Sequence, residues 1–259
     1  KIALRPIGRG EAVRKYGQQV GVATGDIAAG AWVHTHNLEN ADCDLDYAPC
    51  SNVPPPPAPV TGKTFWGYRR ADGRAGTRNY LAVISLVNCS ASVSKAIAAR
   101  FSREGLQDYD QVDGVVAFTH DTGCGMPYQG LAHEMLNRVL GGLARHPNIG
   151  GYLLIGLGCE QATPAFLVEQ HNLVQIQGTD GASTPPPILT LQDLGGSERT
   201  VEAGVRLVTQ MLPRVNEVQR EPIPASELVL GLECGGSDGN SGITANPAVG
   251  VASDLLVAC

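Results

Sequence analysis

The amino-acid sequence predicts an α/β protein in two parts: a small β-rich module, then a doubly wound, mostly parallel sheet flanked by helices. Three observations carry this. From residue 63 onward, short runs rich in Val, Ile and Leu alternate with segments of helical apolar spacing. Such runs, bounded by turn residues, are how buried strands of a parallel sheet read. A proline run, VPPPPAPV at 53–60, breaks the composition and gives a stiff, extended linker. Glycine is abundant at 32 of 259 residues and aromatics are 5%, which suits many close strand–loop–helix turns.

Taken in order, residues 1–40 offer KIALRPI and QQVGVATGDI as short strands, separated by the turns GRGE and KYGQ and closed by AAGAWVHTHNLE. In that last stretch His34 and His36 are expected on one strand face, because side chains alternate with period 2. About 40 residues cannot bury an independent core, so this part reads as the tail of a module whose start is absent. Residues 41–62, with Cys43, Cys50 and the proline run, form the linker. The α/β domain is expected over 63–259.

In that domain RNYLAVISLVN precedes the helical SASVSKAIAARFSREG, and VDGVVAFTH precedes LAHEMLNRVLGGLARH. YLLIGLG precedes TPAFLVEQHN, whose Thr-Pro opening is a helix start. LVQIQ and ELVLGLE are further strands, and ERTVEAGVRLVTQMLPRV and NPAVGVASDLLVA further helices. The stretch 178–196 reads as a long functional or mobile loop. The sequence begins at Lys1 and stops within a helical pattern at Cys259, so it is expected to be incomplete at both ends.

A net charge of −6 argues against a nucleic-acid partner, which calls for a basic surface. No apolar run has the length of a membrane span and no signal peptide is visible, so no membrane partner is expected. Seven cysteines, an odd count at irregular spacing, suit thiols or metal ligands in a reducing cytoplasm better than a disulfide framework.

Cys89, Cys124, Cys159 and Cys234 each sit just beyond an apolar run. Any one of them alone reads as a small buried apolar residue. Four placed alike point to a shared site, since ligands in open α/β sheets bind beyond the carboxyl ends of the strands. Thiols delivered there could hold a metal or act as nucleophiles. His120 lies four residues before Cys124 and is a candidate metal ligand or general base, or else a cap on the strand end.

The segment CGGSDGNSGITAN, residues 234–246, is a glycine-rich loop leading into a helix near Asn246. Backbone N–H groups at such a start suit a carboxylate, and Ser237, Asp238, Ser241, Thr244 and Asn246 can reach several hydroxyls. Asp238 could instead touch a metal or act in catalysis. Asn88 and Ser90 flank Cys89 at another helix start and suit the same anion, whereas Arg78 and Asn79 stand at the opposite end of the first strand.

These residues resemble a known family. KIALRPIGRGEAVRKYGQQVGVATGDIAAGAWVHTHN is similar to the second half of the N-terminal SAF (β-clip) domain of sugar-acid dehydratases. GYRRADGRAGTRNYLAVISLVNCSASV, THDTGCGM, HPNIGGYLLIGLGCE, LQDLGGSERTVEAG and ECGGSDGNSGITANPAVGVASD resemble the altronate/galactarate dehydratase family. RRADGRAGTRNY, VNCSASV and VHTHN lean toward its altronate branch.

The resemblance implies an iron-dependent hydro-lyase that removes water from a sugar acid, D-altronate first, giving a 2-keto-3-deoxy acid. Galactarate dehydration and elimination of sulfite from sulfolactate are the alternatives within enzymes. A carbohydrate- or anion-binding module without chemistry is the alternative outside them. A small-molecule sugar acid is the partner implied, and a homodimer the assembly. The iron is expected as a single Fe²⁺ on nitrogen and oxygen ligands, with His34 and His36 the candidate nitrogens and the cysteines lining the pocket; the alternative is a [4Fe–4S] cluster with three of Cys89, Cys124, Cys159 and Cys234 as its metal ligands. His120, Cys124 and Asp238 are the candidate catalytic groups.

Overall fold

The structure is a computed structural model that describes residues 1–41, 53, 55–161, 163–177, 182–236 and 238–259. Cys43, Cys50, Ser237, most of the expected linker and part of the 178–196 loop lie outside the described residues. The chain divides into two compact units, Lys1–Pro55 and Pro56–Cys259.

The first unit holds an antiparallel sheet of β1 (Ala12–Lys15), β2 (Gln18–Ala23) and β3 (Leu38–Glu39), in that order. Tyr16 and Gly17 join the first two strands with φ of 52° and 80°, the paired left-handed turn whose twist matches a hairpin. Ala3, Val13, Ala23, Ile27 and Val33 are buried together as its core. KIALRPI, expected as a strand, makes only isolated bridges, Ile2 to Trp32 and Ile7 to Ile27. His34 and His36 likewise lie in the turn between Trp32 and β3 and not on a strand. The turn is closed by Asn37, whose Oδ1 accepts from the His34 N–H at 3.0 Å and whose Nδ2 donates to the Trp32 carbonyl at 2.9 Å.

The second unit runs β4 (Thr64–Arg69), β5 (Ala75–Gly76), β6 (Tyr80–Ser85), α1 (Ala91–Ala98), β7 (Gly114–Phe118), α2 (Leu131–Ala144), β8 (Ile149–Gly156) and α3 (Pro164–His171). It continues through β9 (Gln175–Gln177), β10 (Ala182–Thr184), β11 (Ile188–Thr190), α4 (Ser197–Asn216), β12 (Arg220–Pro224) and α5 (Ala245–Ala258). Its centre is a parallel sheet in the order β11-β8-β6-β7. Leu81, Val83, Leu153 and Ile155 on one face pack with α1 and α4 through Val93, Ile97, Val208 and Leu212. Ala82, Ile84, Tyr152 and Leu154 on the other pack with α2 and α3 through Leu140, Ala144 and Leu167. Helices on both faces explain why β6 and β8 are apolar at nearly every position instead of alternating. The α/β class and the doubly wound sheet are therefore as expected.

Three strand assignments need correction. Ile188–Thr190, inside the stretch expected to be a loop, is the edge strand β11. LVQIQ yields β9, which pairs only with β10, antiparallel, outside the central sheet. ELVLGLE forms no strand: residues 228–236 are irregular, and Val229 is 94% exposed. The neighbouring REPIP instead forms β12, antiparallel to β4, which pairs also with β5.

Candidate functional site at the strand ends

The first strand of the central sheet, β6, has the second, β7, on one side and the third, β8, on the other. Chain direction reverses outward there, and the crevice at such a switch point, beyond the carboxyl ends, is where α/β sheets bind ligands. The loops 86–90, 119–125 and 157–161 form its rim. The Asn88 N–H donates to the Thr122 carbonyl at 2.8 Å, and the Gln161 N–H to the Gly123 carbonyl at 3.4 Å, so the middle loop is tied to both neighbours. Two glycines permit this. Gly123 has φ +101°, and a Cβ there would come within 2.9 Å of the Leu86 oxygen; Gly158 has φ +121°, and its Cβ would come within 2.5 Å of Gln192 Oε1.

Cys89, Cys124 and Cys159 are exposed on these three loops, beyond three adjacent strands. The Cys89 thiol donates to Asn88 Oδ1 at 3.5 Å. Cys234 is exposed as well, but on the irregular 228–236 segment and not at the end of a strand. Ser90, expected among the substrate groups, is fully buried. Its hydroxyl lies 2.9 Å from the Val87 oxygen, 2.8 Å from the Ile155 oxygen and 2.8 Å from Ser85 Oγ, tying the loop after β6 to β8.

His120 is half-buried behind the rim. Its Nδ1 accepts from the Thr122 N–H at 3.2 Å, so the proton sits on Nε2, which donates to the Ser85 carbonyl at 3.0 Å. Burial lowers its pKa below the ordinary histidine value, against the smaller opposing effect of that carbonyl.

Glu160, which the sequence patterns did not single out, is 5% exposed at the end of β8 beside Cys159. Its Oε2 accepts from the N–H groups of Leu157 at 3.1 Å and Gly158 at 2.6 Å, and its Oε1 is buried with no hydrogen-bond partner. The available signal was a carboxylate directly after GLGC, where a buried apolar strand stops.

The 238–246 loop is held by its own side chains. Asp238 Oδ1 accepts from the N–H groups of Asn240 at 2.7 Å and Ser241 at 2.6 Å, and these bonds lower its pKa, Ser241 most. Ser241 Oγ donates to the Asp238 carbonyl at 3.1 Å and Thr244 Oγ1 to the Asn240 carbonyl at 3.0 Å. Asn246 lies in the exposed first turn of α5. In the first unit, the Trp32 ring stacks on His34 at 4.8 Å and meets His36 at 5.0 Å.

Thiols and imidazoles suit iron by donor type. Among the described residues, however, no three His, Cys, Asp or Glu side chains form a group able to hold a metal ion. The donors fit the metal chemically and are not an assembled centre. Also among the described residues, no helix is long and apolar enough to cross a membrane.

The Altronate/galactarate dehydratase SAF domain matches residues 1–41. The second domain of D-galactarate dehydratase/altronate hydrolase matches 67–216, and the C-terminal domain of D-galactarate/altronate dehydratase matches 225–259. Altronate dehydratases of Bacillus subtilis (strain 168) and Escherichia coli (strain K12) are 36% and 38% identical over the whole chain. The galactarate dehydratase (L-threo-forming) of Escherichia coli (strain K12) is 39% identical, again over the whole chain. In each case the chain spans 50% of the relative's length. Three domain matches in one order, the middle one covering the sheet that carries the rim, show that the chain belongs to the altronate/galactarate dehydratase family.

Proposed function

We propose that this chain serves a hydro-lyase that dehydrates a sugar acid, D-altronate first, to a 2-keto-3-deoxy acid by metal-assisted β-elimination. The observation that carries this is the rim of polar loops and exposed thiols at the switch point of a sheet matched by the family's second domain. Sugar-acid dehydration is common to the three relatives. Identities of 36%, 38% and 39% do not separate altronate from galactarate, so the choice of D-altronate rests on RRADGRAGTRNY, VNCSASV and VHTHN.

In the elimination a base takes the proton α to the carboxylate, the electron pair forms the enediolate, and the β-hydroxyl leaves with a proton as water. The enol then tautomerises to the 2-keto acid. His120, neutral and half-buried, is the group for the proton, through Nδ1, once substrate displaces the Thr122 N–H from it. Asp238 is a weak base, because two backbone donors hold its carboxylate ionised, and it serves better to shape a loop whose Ser241, Thr244 and Asn246 meet hydroxyls. Asn88, exposed beside Cys89, offers an amide to the substrate.

Iron, when bound, supplies Lewis acidity for the enediolate and the leaving hydroxide. A single ferrous ion would draw on nitrogen and oxygen ligands, His34 and His36 among them, and would leave Cys124, Cys159 and Cys234 as pocket lining. A second reading, a [4Fe–4S] cluster, is favoured by the exposure of Cys89, Cys124 and Cys159 beyond three adjacent strands.

The test is the full-length protein, prepared without oxygen and supplied with Fe²⁺. It should convert D-altronate to a 2-keto-3-deoxy acid, read as the semicarbazone. Turnover of galactarate alone would move the substrate assignment, and turnover of neither by metal-loaded protein would leave a binding module. Removal of iron by a chelator should abolish activity, and His36→Ala should lower iron content and activity together. Acid-labile sulfide, with a brown chromophore lost in Cys124→Ser, would select the cluster.

A further inference from the structure

A cavity of about 230 Å³ opens at the other end of the central sheet. It is lined by the first residues of β8, Ile149 to Gly151, whereas Cys159 lies beyond that strand's last residue. Its charged lining is Arg70, Arg74, Arg145 and Arg214 against one acid, Asp72. That balance runs against a chain of net charge −6.

Three of these arginines have local reasons to be present. Arg74 pairs with Asp72, Nε to Oδ2 at 2.8 Å. Arg145 caps the carboxyl end of α2 and Arg214 lies in the last turn of α4, where a cation offsets the negative end of the helix. Arg70 is different. It sits on no helix, is 7% exposed, and donates from Nε to the Pro147 oxygen at 2.7 Å, from Nη1 to Asn79 Oδ1 at 2.8 Å and from Nη2 to the Arg78 oxygen at 2.9 Å.

All three acceptors are neutral, so among the described residues no carboxylate hydrogen-bonds this buried cation. A guanidinium has five N–H donors, which leaves two for another acceptor. Burial pushes the Arg70 pKa down to about 10, outweighing the opposing effects of Tyr68, Asp72 and Asp113. Gly150 leaves room for the Arg70–Asn79 pair at the cavity wall: a Cβ there would come within 2.1 Å of Asn79 Oδ1 and 3.2 Å of Arg70 Nη1. Since a buried guanidinium is best satisfied by a directly bonded anion, an occupant that accepts hydrogen bonds and carries negative charge fits this cavity.

We propose that this cavity is a second ligand site, apart from the strand-end rim, for a small anion bearing a carboxylate or phosphate group. Guanidinium groups recognise both in the same forked geometry.

The experiment uses the full-length protein, with inorganic phosphate and malonate as probes at constant ionic strength, read by calorimetry and by the melting temperature. Saturable binding of either probe is expected, weakened about tenfold or more in Arg145→Glu, a change at an exposed position. Turnover of the sugar acid without added anion should be unchanged in that variant. Phosphate alone binding assigns a phosphorylated ligand, malonate alone a carboxylate, and both the shared chemistry. Arg70→Lys, which keeps the charge and loses the fork, should weaken binding as well if it folds. No saturable binding of either probe would overturn the proposal. So would an Arg145→Glu variant that titrates like the parent, since that binding would belong elsewhere.

Discussion

Gly123 shows how closely the rim depends on single residues. Its φ of +101° and the 2.9 Å approach to the Leu86 oxygen leave no room for a side chain. Gly123→Ala should cost roughly 1–3 kcal/mol and lower both the melting temperature and turnover, since Cys124 rides on the same loop. An unchanged melting temperature would show that the loop yields without strain. Glu160 separates two roles. Glu160→Ala leaves the Leu157 and Gly158 N–H groups without their acceptor and should cost roughly 1–3 kcal/mol. Glu160→Gln keeps an acceptor and should melt closer to the parent. His120 gives a pH signature. Its folded pKa lies below the unfolded one, so the unfolded chain binds the proton first as pH falls. Stability should decline as pH drops below about 6.5; His146 and His171 are shifted the same way. Denaturant midpoints across that range should fall less steeply in His120→Gln. The rim thiols were legible because each ends an apolar run. Glu160 and Ser90 were not, because which hydroxyl or carboxylate turns inward depends on the backbone groups a neighbouring strand leaves unpaired.

Among the elements, those buried on both faces were the easiest to read. β6 and β8 are apolar at nearly every position because helices cover them from both sides. The misread strands fail for one shared reason: strand formation needs a partner, and a partner is not visible locally. ELVLGLE has β character and no pairing strand among the described residues, whereas REPIP, with two prolines, pairs along β4 as an edge. β11 spans Ile188–Thr190 and sits against β8, after a proline-rich approach that resembles a loop. The helix pair α1 and α4 offers a test of packing. Gly204 faces Ile97, and a Cβ there would come within 2.3 Å of Ile97 Cδ1. Gly204→Val should force the helices apart at roughly 1–3 kcal/mol. Shortening the opposing side chain with Ile97→Val should recover part of that loss, because the two positions share one contact. Additive losses in the double variant would argue against direct packing between them.

At the scale of the whole molecule, the surface of the second unit is uneven in a way that predicts its solution behaviour. The inner strands β6 and β8 bury their apolar residues, yet α5 buries none of its residues, and Val251, Leu255 and Val257 stand exposed on it. Leu232 and Ile243, before that helix, are exposed as well. Val251 and Leu255 are four residues apart and share a helix face, so this is a stripe and not a scatter. Exposed apolar surface of this kind associates, because contact removes it from water at about 25 cal/mol per Å². The 259-residue chain should therefore show a hydrodynamic radius that grows with concentration. Its association should weaken on cooling, since the apolar driving force fades at low temperature. Replacing Val251 and Leu255 together by Glu and Lys should hold the radius constant without lowering the melting temperature, as neither side chain is part of a buried cluster. A radius that grows as before in that double variant would place the contact on another surface. A falling melting temperature would show that α5 packs against the sheet domain in solution.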